Sequence, residues 1–122
     1  MTAQPLLVFD FDGVIVDGMA EYWWSAWMAA QRLDAEPQGL GPDAVPQGFR
    51  RLRPWVHHGW EMVLLAAEMP QLDPERWVVD YAAEQAMALQ RRGWSAFQLQ
   101  EALDQTRQQA VSLNRAAWLG FI

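Results

Sequence analysis

"LLVFDFDGVIVDG", residues 6–18, is the stretch whose reading decides the fold. Leu6, Leu7, Val8 and Phe9 run unbroken into two acids, Asp10 and Asp12, with Phe11 between them and Gly13 directly after. A continuous apolar run, as opposed to an alternating one, describes a strand buried on both faces, and such strands sit inside parallel sheets. Residues 6–11 are therefore expected to form a strand of an α/β fold. In open α/β sheets ligands bind just beyond the carboxyl ends of the strands, where Asp10 and Asp12 fall. Alternation along an extended segment turns these two carboxylates to one side and Phe11 to the other. Like charges that close are relieved by a divalent cation or a shared proton. Gly13 permits a sharp turn and brings backbone N–H groups toward a bound anion. Strand, acid, spacer, acid and glycine thus describe a site for phosphate and Mg2+. The plainer reading is a turn at Asp12-Gly13 with Asp10 at a strand end. A calcium loop is excluded, because its glycine is the sixth residue of the loop and here it is the fourth.

Downstream the spacing changes to that of helices. Met19, Trp23, Ala26, Trp27, Ala30 and Leu33 predict a helix over 19–33, with Asp17 placed to cap it. Residues 34–48, rich in proline and glycine, predict a loop. The apolar pattern resumes near Phe49, and Pro54 suits the first turn of a helix bearing Val56, Trp60, Val63, Leu64 and Ala67, ended by Pro70. Asp73 and Pro74 open a third helix with Val78, Tyr81, Ala82, Ala86 and Leu89 on its buried side, closed by Gly93. Ser95 and Gln98 form a capping box for a last helix that buries Leu99, Ala102, Leu103, Thr106, Ala110, Leu113 and Ala117.

Composition narrows the function. A chain of 122 residues with 52% hydrophobic and 20% charged residues is long and apolar enough for one packed domain. Its net charge of −6 gives no footing for nucleic acid, which is held by clustered cations. With no cysteine, disulfides, thiolate metal sites and thiol nucleophiles are excluded. No apolar stretch approaches the ~20 residues that span a bilayer, and no basic leader precedes an apolar segment. These features read as a soluble, cytoplasmic protein. All nine basic residues are arginine, so a mechanism that needs lysine must find it on another chain.

"VFDFDGVIVDG" resembles the first motif of the haloacid dehalogenase (HAD) superfamily, phosphatase branch, in which a hydrophobic strand leads into Asp-x-Asp-Gly-(Val/Thr). The resemblance implies that Asp10 is the nucleophile, forming an aspartyl-phosphate, and that Asp12 is the general acid and base. It implies Mg2+ on the Asp10 carboxylate and the Asp12 backbone carbonyl, with Phe11, Asp12 and Gly13 holding phosphate. Dehalogenases of the same superfamily generally lack the second aspartate, so Asp12 points to phosphoryl chemistry. The fold it implies is a Rossmannoid core, represented by its first strand and catalytic loop at 1–18, then a helical cap at 19–118 of the phosphoglycolate-phosphatase-like type. Residues 119–122 would begin a return to the core. The cap is expected to meet a small phosphorylated metabolite through "RRLRPWVHHGWEM", with Arg53 and then Arg50 as its cations. His57 and His58, adjacent on a helix, are unsuited to a shared metal.

The later motifs of that family are missing: a Ser or Thr at a second strand end, the lysine, and a further acidic pair. Gly18 also stands where a small hydroxyl residue is common. With the apolar ending "AAWLGFI", this suggests a catalytic opening without its completion, truncated and inactive as it stands. Two other readings are open: a non-catalytic helical module that binds partners through its tryptophans, and an all-α protein in which residues 6–18 are incidental. The substrate and the oligomeric state are not specified by the sequence.

Overall fold

The computed structural model describes residues 18–33 and 40–119, with side chains as far as residue 112. Six α-helices follow in order: α1 (Gly18–Arg32), α2 (Gln47–Leu52), α3 (Gly59–Glu68), α4 (Pro74–Val79), α5 (Tyr81–Arg92) and α6 (Ala96–Leu119). Short 3-10 turns at Arg53–Trp55 and Met69–Gln71 bracket α3. Among the described residues there is no strand, so the expected α/β architecture, a Rossmannoid core with a cap, is corrected to an all-α one. The physical reason is that one four-residue apolar run cannot outweigh about a hundred residues of helical spacing, which close helix on helix. The strand expected at 6–11 and the cap expected at Asp17 lie outside the described residues.

The core is built around α3. Its sequence GWEMVLLAAE is apolar on every side from Met62 to Ala67, and a helix of that kind must be covered all round. Residues 61–69 are accordingly all buried. Helices α1, α3 and α6 pack pairwise on one another, α5 lies against α3, and α2 pairs with α4. The close approach of α3 to α6 shows at Gly59, where a Cβ would come within 2.8 Å of Leu103 Cδ2. From α1 the core receives Trp23, Ala26, Ala29 and Ala30, and from α6 Leu99, Ala102 and Leu103.

Helix boundaries follow local chemistry. Asp73 accepts from Glu75 N at 3.1 Å with Pro74 at the first helical position. Ser95 and Gln98 make the expected box: Ser95 N donates to Gln98 Oε1 at 2.9 Å, and Gln98 N donates to Ser95 Oγ at 3.2 Å. The single long helix expected from 74 to 92 is instead two. Asp80, at φ −153° and ψ 80°, breaks it and accepts from Ala83 N at 3.2 Å to restart α5. The break rotates the second half, so Ala88 is buried while Ala82 and Ala86, expected inside, are exposed. Pro54 lies in the 3-10 turn, and Val56 and His58 are extended before α3 begins.

Gly93 ends α5 in the left-handed region at φ 68°, with its N–H returned to Gln90 O. A side chain is strained there although the space is open. Gly93→Ala should therefore lower unfolding free energy by about 1 kcal/mol, read as a shifted denaturant midpoint at unchanged m-value. An increase in stability would contradict the strained backbone.

Candidate functional site

Of the residues expected to act, Asp10, Phe11, Asp12 and Gly13 lie outside the described residues, while Arg50 and Arg53 are placed. Arg50 stands on the exposed side of α2. Its neighbour Arg51 is bound on both sides: Nε and Nη2 donate to Glu75 at 3.0 and 3.3 Å, and its guanidinium lies 5.4 Å from the Trp55 ring centre. Arg53 is half-buried in the turn after α2 and lies 4.8 Å from the centre of the Tyr22 ring. Tyr22 sits one turn into α1, and its ring reaches back to Gly18, where a Cβ would stand 3.6 Å from Cε2. Arg53 is thereby brought to the end of α1 that continues directly from residues 10–17, a juxtaposition that separation in sequence hides.

The histidines do not form a metal pair. His58 Nδ1 meets Glu61 Oε2 at 3.0 Å and its ring stacks on Trp60, with centres 6.4 Å apart. His57 is exposed, and only its backbone N–H engages Glu61.

Glu61, not singled out by the sequence, is the most densely bonded acid described. Oε2 accepts the backbone N–H of His57 at 3.2 Å and of His58 at 2.9 Å, besides the His58 ring. Oε1 accepts the Tyr81 hydroxyl at 2.9 Å and Gln85 Nε2 at 3.1 Å. The signal was present as Glu at the third position of α3 after an N-cap residue, the arrangement of a capping box. Burial alone would raise the Glu61 pKa, but the hydrogen bonds from the His58 side chain, Tyr81 and the backbone outweigh it and hold the carboxyl below its ordinary 4.5. Burial first, then the adjacent Glu61 charge, pushes the Tyr81 phenol well above its usual range, so it remains a donor. Because the folded-state pKa of Glu61 is depressed, its contribution is complete above the unfolded value and is lost as pH falls through the folded one. Stability should therefore decline below about pH 4.5, and Glu61→Gln should flatten that decline. Denaturant titrations at pH 7 and in acid measure this, and an equal slope in the variant would refute it.

Glu68, at the other end of α3, is 2% exposed. It takes Arg91 Nη2 at 2.9 Å and Arg92 Nε, while Arg92 Nη2 closes on Ala67 O at 3.0 Å. Each acid is consumed by a tie between α3 and α5. An open groove of about 970 Å³ runs along α6 beside Arg32, Arg107 and Gln109. Its guanidiniums are also engaged, Arg32 with Thr106 Oγ1 and Gln109 Oε1 and Arg107 with Glu21. Both guanidiniums of the groove thus already spend N–H donors on this chain.

Among the described residues, no group of three or more His, Asp or Glu side chains could hold a metal ion. No described helix is long and apolar enough to cross a membrane. No family model, curated protein or solved structure matches this chain.

Proposed function

We propose that this protein carries phosphoryl-hydrolase chemistry on Asp10 and Asp12, directed at a small organic phosphate in the cytoplasm, with little turnover because the strand-end Ser or Thr, the lysine and the further acidic pair of the family it resembles are missing. The observation that carries the reading is the motif itself, two carboxylates one residue apart between an apolar run and Gly13. In this scheme an Asp10 oxygen attacks phosphorus and the ester P–O bond breaks, while Asp12 gives its proton to the departing oxygen. Asp12, now ionised, takes a proton from water. The resulting nucleophile cleaves the P–O bond to Asp10, releasing inorganic phosphate and regenerating both acids. Mg2+ would be held by the Asp10 carboxylate and the Asp12 backbone carbonyl, both hard oxygen donors. When bound it would offset the repulsion between carboxylate and phosphoryl oxygens. No lysine of this chain can serve as a further cation. The helical unit would present Arg53 and Arg50 to the substrate.

The test is chemical capture. The protein is incubated with an aryl phosphate and Mg2+, quenched in acid and digested, and the peptide bearing Asp10 is weighed by mass spectrometry. Release of inorganic phosphate or one phosphoryl group on Asp10 supports the reading. Neither product, with the protein folded by circular dichroism, overturns it.

A second reading, a non-catalytic binding module, is favoured by one observation: the buried acids of the described residues, Glu61 and Glu68, are both occupied in holding helices together. Failure of the capture experiment would leave this as the better account.

A further inference from the structure

We infer that Arg53, stacked on Tyr22 at the first turn of α1, is the core of an oxyanion-binding site that takes a carboxylate or phosphoryl group of a small ligand. The inference deepens the proposed phosphatase reading, in which Arg53 meets the substrate, by naming the platform and the ligand chemistry, and its test does not require Asp10 and Asp12 to act.

What singles out Arg53 is how the other arginines are used. Arg51 is held by Glu75, Arg76 by Glu84, Arg91 and Arg92 by Glu68, and Arg107 by Glu21. Arg32 has no carboxylate but donates to Thr106 and Gln109. Arg50 has a partner as well. Among the described residues Arg53 meets no carboxylate or carbonyl through its guanidinium; its contact is the face of Tyr22. A cation over an aromatic face is held in place by the ring's quadrupole while its N–H edge stays unspent. The planar fork is thus oriented toward whatever approaches its edge, which is the geometry suited to a bidentate oxyanion.

Among the described residues no acid competes for this edge. Glu21, the nearest described acid along α1, accepts from Ser25 Oγ and pairs with Arg107, so it is turned to other partners. The Tyr22 ring reaches back to Gly18, where a Cβ would stand 3.6 Å from Cε2. Half-burial of Arg53 reduces the screening its charge meets at an exposed position. The ring platform and the guanidinium edge together form the proposed binding surface.

Titration with inorganic phosphate and, separately, with acetate tests this, using sodium chloride at matched ionic strength as the blank. The readout is the nuclear magnetic resonance shift of the Tyr22 ring and of the backbone amides at 18–22. Saturable shifts with phosphate alone identify a phosphoryl ligand, and with acetate alone a carboxylate; either supports the site. Arg53→Gln should weaken binding about tenfold or more, the loss expected for a charge-assisted hydrogen-bond pair. Arg51→Gln should leave it unchanged, and Arg53→Lys, which keeps the charge but not the fork, should fall between. Shifts that match the chloride blank, or that persist undiminished in Arg53→Gln, would overturn the inference. The two proposals separate through the parent protein and the Asp10→Asn/Asp12→Asn double variant: anion shifts retained in the double variant, with capture failing in the parent, would sink the catalytic reading alone.

Discussion

Trp23→Ala should lower unfolding free energy by about 4 kcal/mol, the largest loss expected from any single truncation in the helical core. The indole is wholly buried and joins three parts of the chain. It belongs to α1, meets Phe49 of α2 edge to face with ring centres 5.1 Å apart, and donates from Nε1 to Gly41 O at 2.9 Å. Truncation removes the burial of the largest side chain in the core and opens a void that the helices around α3 are too closely packed to fill. The edge-to-face pair adds about 1 kcal/mol beyond its area. Trp23→Phe keeps most of the ring and gives up the hydrogen bond, and Gly41 is exposed enough for water to replace it. That variant should cost about 1–2 kcal/mol, so the difference between the two variants isolates packing from hydrogen bonding. Urea unfolding followed by far-ultraviolet circular dichroism gives both values. With total stability on the order of 5–15 kcal/mol, the alanine variant should be visibly marginal at 37 °C. A loss under 1 kcal/mol would mean that α1 is not docked through this residue.

The features legible in the sequence are those in which cause and effect lie within a few residues. Asp73 with Pro74, Ser95 with Gln98, and Gly93 each announce a helix end through their own backbone chemistry, and all three hold. The stripe Leu99, Ala102, Leu103 and Thr106 is likewise buried as its spacing requires. Asp80 was harder, because Trp77-Val78-Val79 before it and Tyr81 after it continue a helical pattern through a residue that also caps helices. Only the partners of the second half decide: Tyr81 and Gln85 reach Glu61, and Arg91 and Arg92 reach Glu68, which fixes α5 in a rotation that leaves Ala82 and Ala86 outside. Those ties span 20 to 24 positions and leave no periodic trace. The fold class differs from the expected one for a related reason. A continuous apolar run signals a buried segment without saying what buries it, and Met62–Ala67, equally continuous, is the helix at the centre of the core. For the candidate site, Arg53 was legible as a cation near aromatic residues. Tyr22 as its platform was not, since 31 positions separate them.

Asp10→Asn should abolish phosphate release and adduct formation, lowering turnover about a thousand-fold or more, as loss of a nucleophile does elsewhere. The amide is nearly isosteric but lacks the negative charge that attacks phosphorus, so binding of the substrate should change little while the chemical step is lost. That corresponds to about 4 kcal/mol in the barrier at 1.36 kcal/mol per tenfold. Asp12→Asn should behave differently, and the difference assigns the roles. An aryl phosphate has a leaving group that departs without a proton, so the first step survives loss of the acid. Hydrolysis of the adduct still needs the base, and removing a general base costs about 10²–10⁴-fold. The phosphoryl group should therefore accumulate on Asp10 in Asp12→Asn and be absent in Asp10→Asn. With an alkyl phosphate, whose leaving oxygen must be protonated, Asp12→Asn should stall before the adduct and show none. Phosphate release that survives in Asp10→Asn would remove the nucleophile from that residue and with it the resemblance on which the reading rests. Adduct yields that do not depend on the leaving group in Asp12→Asn would leave Asp10 in its role and deny Asp12 the acid.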